Sequence, residues 1–130
     1  MIILDTGAVT ALAAGHRALL RLADNAAGSP FNHLMVPALC LMEAEAQTQD
    51  AGAFALALPA IEIEPLDSVA AVTVAVMVRD GIGAPDTCHA LYTSLPTGSR
   101  GTMHVILTDQ EQVYPPGTIT VHVDDPRLLG

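Results

Sequence analysis

The feature that most constrains the fold of this chain is a regular alternation between short aliphatic or β-branched runs and longer stretches with helical spacing. The short runs predict strands at 1–5, 33–36, 61–64, 103–107 and 119–123. The longer stretches predict helices at 8–14, 16–27, 38–47, 50–58, 69–79 and 83–95. Strands that alternate with helices are typical of a parallel sheet covered on both faces. The pattern therefore predicts an α/β fold, a three-layer α/β/α sandwich around a central, mostly parallel sheet of four to five strands.

Length and charge limit the number of domains and the class of protein that the chain can be. With 130 residues the chain is long enough for one core, so we expect a single domain over 1–130. Its formal net charge is −9, and its five basic residues are all arginine. Nucleic-acid-binding modules usually hold phosphates with clustered Lys and Arg. The composition therefore argues against a simple DNA- or RNA-binding module.

Cysteine content and apolar runs indicate the compartment. Two cysteines, Cys40 and Cys88, are too few for a disulfide framework in a chain of this size. No basic, apolar leader precedes Asp5. The longest apolar run, 69–78, is interrupted by Thr73 and is far shorter than the roughly 20 residues needed to cross a bilayer. We expect a cytoplasmic protein without a membrane partner.

Four acidic residues fall where the predicted strands and helices meet. Asp5 ends the first strand, Asp109 lies just past the fourth, Glu43 lies in the helix that follows the second, and Asp86 opens the helix that leads toward the fourth. Ligands of open α/β sheets collect beyond the carboxyl ends of the strands, so these acids can converge there. Clustered carboxylates recruit a counter-ion, and oxygen ligands without paired His or Cys favour Mg²⁺ or Mn²⁺ over Zn²⁺. Such an ion can activate a water and stabilise an attacked phosphate, which makes this a candidate phosphodiesterase site.

The same acids lie in four segments with recognisable patterns. Segment 2–9 is an aliphatic strand followed by Asp, Thr and small residues, and segment 36–43 places a glutamate one helical run after a proline. Segment 84–90 starts a helix with Asp and has Ala four residues on, and segment 105–109 is a strand that ends in Thr and then an acid. In this order, the four segments resemble the motifs of the PIN domain family, the nuclease fold of VapC-type toxins. The resemblance runs nearly end to end.

The resemblance implies an activity, a cofactor and partners. It implies a metal-dependent ribonuclease, the toxin of a type II toxin–antitoxin pair, with RNA as substrate and a cognate antitoxin as partner. It implies Asp5, Glu43 and Asp86 as catalytic acids that bind Mg²⁺ or Mn²⁺, and Asp109 as a fourth. Many members of the family carry the fourth acid two residues after the Thr, where this chain has Gln110. Whether Asp109 or Gln110 occupies the fourth position therefore stays open at this point.

Several of these residues also have ordinary structural explanations. Acids such as Asp5 and Asp86 are common at helix N-termini, and Thr6 can cap the helix at 8–14. Thr6 and Thr108 can equally bond a ligand carboxylate or a water. The neighbours of Glu43 predict a largely apolar setting, whereas Glu45 is expected in solvent.

A second function is compatible with the same sequence. A PIN-like scaffold with weakened catalysis, acting through protein–protein contacts, agrees with the displaced fourth acid and the missing lysines. Apolar helical faces at 11–22 and 51–58 exceed what a small sheet needs to cover it. We expect part of them to form a homodimer interface or a docking groove for an antitoxin helix.

Overall fold

The computed structural model describes residues 1–28, 33–96 and 103–128. In these ranges the sheet has five strands: β1 (Ile2–Leu4), β2 (Leu34–Pro37), β3 (Ile61–Glu64), β4 (Val105–Thr108) and β5 (Thr120–His122). They are all parallel and lie in the order β3-β2-β1-β4-β5. The described α-helices are α1 (Thr6–Ala13), α2 (Arg17–Ala27), α3 (Ala38–Gln47), α4 (Ala51–Ala57), α5 (Ser68–Arg79) and α6 (Pro85–Ser94). The predicted α/β sandwich is confirmed, and its sheet is entirely parallel.

The core forms around the two innermost strands. Ile3 and Leu4 of β1 and Ile106 and Leu107 of β4 are at most 1% exposed, as expected for parallel strands covered on both faces. Helix α1 packs Leu12 into the same cluster. Each such side chain contributes roughly 1.5–3 kcal/mol by leaving water. These strands therefore hold their carboxyl ends rigidly in place.

The order of the strands creates a crevice at one edge of the sheet. β1 pairs with β2 on one side and with β4 on the other, so the connections that leave β1 and β4 diverge to opposite sides. Ligands of open α/β sheets bind at such a switch point, outside the carboxyl ends of the strands. Asp5 and Asp109 directly follow these two strands. The topology therefore brings together two acids that are far apart in sequence.

One local prediction was wrong: Thr6 does not cap α1. Asp5 occupies the N-cap position with an extended backbone, and its Oδ1 accepts the N–H of Ala8 at 3.1 Å. Thr6 is already the first helical residue, and its hydroxyl donates to Asp86. The helix therefore begins earlier than predicted, at Thr6, and Asp5 caps it because aspartate caps a helix at least as well as threonine.

Two further observations concern the ends of elements and the membrane. The predicted strand at 103–107 begins at Val105 and extends through Thr108, and that at 119–123 shortens to Thr120–His122. Among the helices of the described ranges, none combines the length and apolar character needed to span a membrane.

Candidate functional site

A polar cavity of about 200 Å³ opens at the carboxyl edge of the sheet. Three of the four predicted acids line it: Asp5, Asp86 and Asp109. They come from the end of β1, the start of α6 and the end of β4, so segments about 80 and 100 residues apart in sequence meet here. We call this space the acidic cavity; its other lining residues are Thr6, Gly7, Thr10, Gln47, Thr87, Gln110 and Val113.

Asp5 is the most buried of these acids and is 7% exposed. Its Oδ1 accepts the Ala8 N–H, and its Oδ2 accepts the hydroxyl of Tyr114 at 2.7 Å. Burial raises the pKa of Asp5, because desolvation disfavours the charged form; hydrogen bonds from Thr108 and Tyr114 lower that pKa in part. The nearby charge of Asp109 raises it further. Hydrogen bonds to Ala8, Thr108 and Tyr114 thus fix the orientation of the Asp5 carboxylate.

Asp86 faces Asp5 from the first turn of α6. Its Oδ2 accepts the Thr6 hydroxyl at 2.6 Å. Of the two partners that the sequence allowed for Thr6, a carboxylate or a water, the structure therefore shows the carboxylate, and it belongs to Asp86. Behind it, the buried thiol of Cys40 donates to the Asp86 backbone carbonyl at 3.3 Å. Burial, followed by the charge of Asp5, raises the pKa of Cys40, which keeps this thiol neutral. The backbone and one oxygen of Asp86 are therefore both anchored.

Asp109 lies at the exposed mouth of the cavity, directly above Gly7. A Cβ added to Gly7 would overlap the Asp109 carboxylate, so glycine is the residue that lets this acid approach α1. Gln110 lines the same cavity, and its N–H donates to the Thr108 hydroxyl at 3.0 Å. Both candidates for the fourth position therefore reach the site, with the carboxylate over Gly7 and the amide beside it.

Glu43 does not line the acidic cavity. It lies partly exposed on α3, where its Oε1 accepts the side-chain amide of Gln47 at 2.8 Å. Gln47, one turn later, is the residue of α3 that reaches the cavity. The largely apolar setting predicted for Glu43 is found only in part: Glu43 is half-buried and Leu39 packs against a buried cluster, whereas the adjacent Met42 is 57% exposed. The structure thus brings together three of the four predicted acids, while Glu43 does not line the cavity and is hydrogen-bonded to the lining residue Gln47.

Two residues of the site were not found from the sequence. Tyr114 binds Asp5 across 109 positions, and no spacing rule connects them. Its burial raises its pKa, and the neighbouring Asp5 charge raises it further, so the phenol remains a proton donor. Gln47 carries no charge, so a search for metal-binding acids does not select it. It lies one turn after Glu43 on the same side of α3, and only the structure shows that it lines the cavity.

The acidic cavity has uncompensated negative charge. None of the ion pairs among the described residues includes Asp5, Asp86 or Asp109. Carboxylates lining one cavity without a cationic partner attract a cation, and their oxygen atoms suit Mg²⁺ or Mn²⁺. In the described ranges, however, no three His, Cys, Asp or Glu residues are grouped closely enough to hold a metal ion. The donor chemistry fits a divalent ion; within the protein, Asp5 accepts a hydrogen bond from Tyr114 and Asp86 accepts one from Thr6.

Comparison with known proteins adds no assignment. No protein-family model matches the chain, and no curated protein does.

Proposed function

We propose that this chain is a metal-dependent ribonuclease, a hydrolase of RNA phosphodiesters that works at the acidic cavity with Mg²⁺ or Mn²⁺. The observation that carries the proposal is the convergence of Asp5, Asp86 and Asp109 in one polar cavity without a cationic partner among the described ion pairs. Carboxylates that line one cavity repel one another and favour a bound cation, and the charge of Asp109 raises the pKa of Asp5 in this way. The resemblance to the PIN domain family supports the same activity; it implies Glu43 as a metal-binding acid beside Asp5 and Asp86, with Asp109 as the fourth.

Each side chain of the acidic cavity has a separate role in the proposed reaction. Asp5 is oriented by the Ala8 N–H and the Tyr114 hydroxyl, so it presents its remaining lone pairs in one direction. Asp86 is oriented by Thr6, and Asp109 stands at the mouth, where substrate enters. We assign to the second N–H of the Gln47 amide, whose first donates to Glu43, a hydrogen bond to a phosphate oxygen. When bound, a divalent ion supplies positive charge for the phosphate and activates a water for attack.

RNA cleavage in the presence of Mg²⁺ or Mn²⁺ tests the proposal. Wild type should cleave single-stranded RNA in a metal-dependent way, and Asp5→Asn should lose that activity because it removes the central charge. Asp80→Asn is the matched control, since Asp80 is an exposed acid at the end of α5 that does not line the cavity. Cleavage at the same rate by wild type and Asp5→Asn, or none with either metal, would contradict the proposal.

The exposed face of α3 and α4 supports a protein partner. Met42 is 57% exposed and Leu56 is 63% exposed, and both line an apolar cavity between the two helices. The predicted face at 11–22 is different, because Leu12 and Leu19 are buried in the core. We place the homodimer interface or antitoxin groove on the 51–58 face, in a cytoplasmic toxin–antitoxin protein. Light scattering checks the dimer: a monomer throughout the micromolar range, unchanged in Leu56→Glu, would exclude it.

A second candidate function is a PIN-like scaffold with weakened catalysis that acts through protein–protein contacts. The observation that favours it is the absence, among the described residues, of a group of three acids able to hold a metal. The Glu43–Gln47 hydrogen bond points the same way, because Glu43, an acid that the resemblance assigns to the metal, is bonded to Gln47 and does not line the cavity. Crystals soaked in millimolar Mn²⁺ discriminate the two functions: an ion beside Asp5 supports the nuclease, and none supports the scaffold.

A further inference from the structure

A second cavity, of about 420 Å³, adjoins the acidic cavity between α1 and the start of α4. Thr10 lines both spaces, and Thr48 of the second cavity directly follows Gln47 of the first. The two cavities therefore lie next to each other along α1. The second cavity is large enough to admit a purine base, and its walls differ from those of the acidic cavity in being mostly apolar: Ala13, Ala14, Ala51, Ala53 and Phe54.

Phe54 supplies an aromatic face in this second cavity. The chain has two Phe and two Tyr, and among those described Phe54 is the most exposed, at 40%, whereas Tyr114 is 8% exposed. An aromatic side chain beside a groove that holds a nucleic-acid backbone is the usual platform for stacking a base. A phosphate does not suit these apolar walls, but the flat face of a nucleobase does.

Asp50 lines the same cavity with a carboxylate that has no structural task among the described contacts. It is the N-cap residue of α4, yet its side chain makes no capping hydrogen bond. Glu45 does that work instead: its Oε2 accepts the Asp50 N–H at 2.8 Å, and its Oε1 accepts the Ala53 N–H at 3.0 Å. Glu45 thus fixes the 48–53 turn and leaves the Asp50 carboxylate available to a ligand in the cavity.

We propose that the second cavity is a nucleobase subsite that selects guanine next to the cleaved phosphodiester. The base stacks on Phe54, and the Asp50 carboxylate accepts from the two adjacent donors of guanine, N1–H and the N2 amino group. Adenine presents an acceptor beside its amino group, and uracil presents a single donor between two acceptors, so each meets the carboxylate with repulsion. This inference rests on the proposed function, because it places the phosphate that follows or precedes the base in the acidic cavity.

Binding of free nucleosides to the full chain tests the subsite without any cleavage. Guanosine and adenosine, each at millimolar concentration and without divalent metal, are titrated while backbone amide chemical shifts are followed. Guanosine should shift the amides of 48–54 and bind about tenfold more tightly than adenosine, the low end of the discrimination that a bidentate pair provides. Asp50→Asn should remove this preference, and it is a mild change for the fold because Asn tolerates the left-handed backbone of position 50, where φ is 69°.

Two further variants separate stacking from edge recognition. Phe54→Leu should weaken both nucleosides while it keeps the preference for guanosine, and Asp80→Asn should match wild type. Equal affinity for the two nucleosides in wild type, or a guanosine preference that survives in Asp50→Asn, would overturn the subsite. Guanosine binding as described in a protein that cleaves no RNA would leave the subsite standing and refute the proposed ribonuclease. RNA cleavage without guanosine binding would do the reverse.

Discussion

Replacing Asp5 by asparagine separates the structural role of this side chain from its charge. The Asp5 carboxylate accepts hydrogen bonds from the Ala8 N–H at 3.1 Å, from the Tyr114 hydroxyl at 2.7 Å and from the Thr108 side chain. Asparagine caps helices about as well as aspartate, so the first bond survives the change. Its amide also pairs with the phenol oxygen in the opposite direction, and a buried charge is removed from a cavity lined by other carboxylates. We expect Asp5→Asn to be at least as stable as wild type at pH 7.

Replacing Asp5 by alanine shows how much stability is lost when the hydrogen bonds of this side chain are removed. Alanine loses the helix cap, which is worth about 1 kcal/mol. It also leaves the hydroxyl of Tyr114, a residue only 8% exposed, without its acceptor, which costs about 1–3 kcal/mol. The alanine variant should therefore unfold with a free energy lower by about 2 kcal/mol or more than the asparagine variant. For a domain of this length the difference is roughly 6 °C or more in Tm, measurable by calorimetry.

The pH dependence gives an independent check on the same charge. Burial raises the pKa of Asp5 above its ordinary value of 3.8, so the folded protein binds this proton more tightly than the unfolded chain. The resulting stabilisation is complete below pH 3.8 and is lost as the pH rises through the folded-state pKa. The stability advantage of Asp5→Asn over wild type should therefore widen with rising pH in urea titrations. An advantage that does not change with pH, or an asparagine variant as unstable as the alanine variant, would refute the reasoning.

Contacts around the acidic cavity lead to three further expectations. Tyr114→Phe should lower the free energy of unfolding at pH 7 by about 2 kcal/mol, because the lost hydrogen bond goes to a charged group; equal losses below pH 3.8, where Asp5 is protonated, would contradict this. Gly7→Ala should stabilise an Asp109→Ala background by about 0.5–1 kcal/mol and should not stabilise wild type, where the methyl displaces the Asp109 carboxylate; additive effects in the double-mutant cycle would exclude that contact. Glu45→Gln should accelerate hydrogen exchange at the amides of positions 50 and 53, and unchanged protection would show that Glu45 does not fix the turn.

The fold was largely predictable because its determinants are local. The aliphatic run before Asp5 and the run before Thr108 are each bounded by polar residues, and both became the central strands. The alternation of strands and helices then predicted a parallel sheet without any knowledge of strand order. What local patterns do not contain is the order itself, in which β1 lies between β2 and β4 and creates the crevice. That order depends on tertiary packing of helices on both faces.

The site was predictable in part for the same reason. Asp5, Asp86 and Asp109 follow or begin elements whose ends meet at one edge, so their convergence could be expected from the chain order. The position of Glu43 could not, because Glu43 and Gln47 lie one turn apart on the same side of α3, and the level of the cavity along the helix decides which of them lines it. Tyr114 was missed because a hydroxyl–carboxylate pair across two chain segments leaves no periodic signal.

Binding of Mn²⁺ shows directly whether the acidic cavity is a metal site. Electron paramagnetic resonance of free Mn²⁺ during a protein titration measures the number of bound ions and their affinity. We expect a saturable Mn²⁺ site in wild type and in Asp80→Asn, and loss of that site in Asp5→Asn. Saturable binding of equal strength in Asp5→Asn, or no binding in wild type at millimolar Mn²⁺, would contradict it.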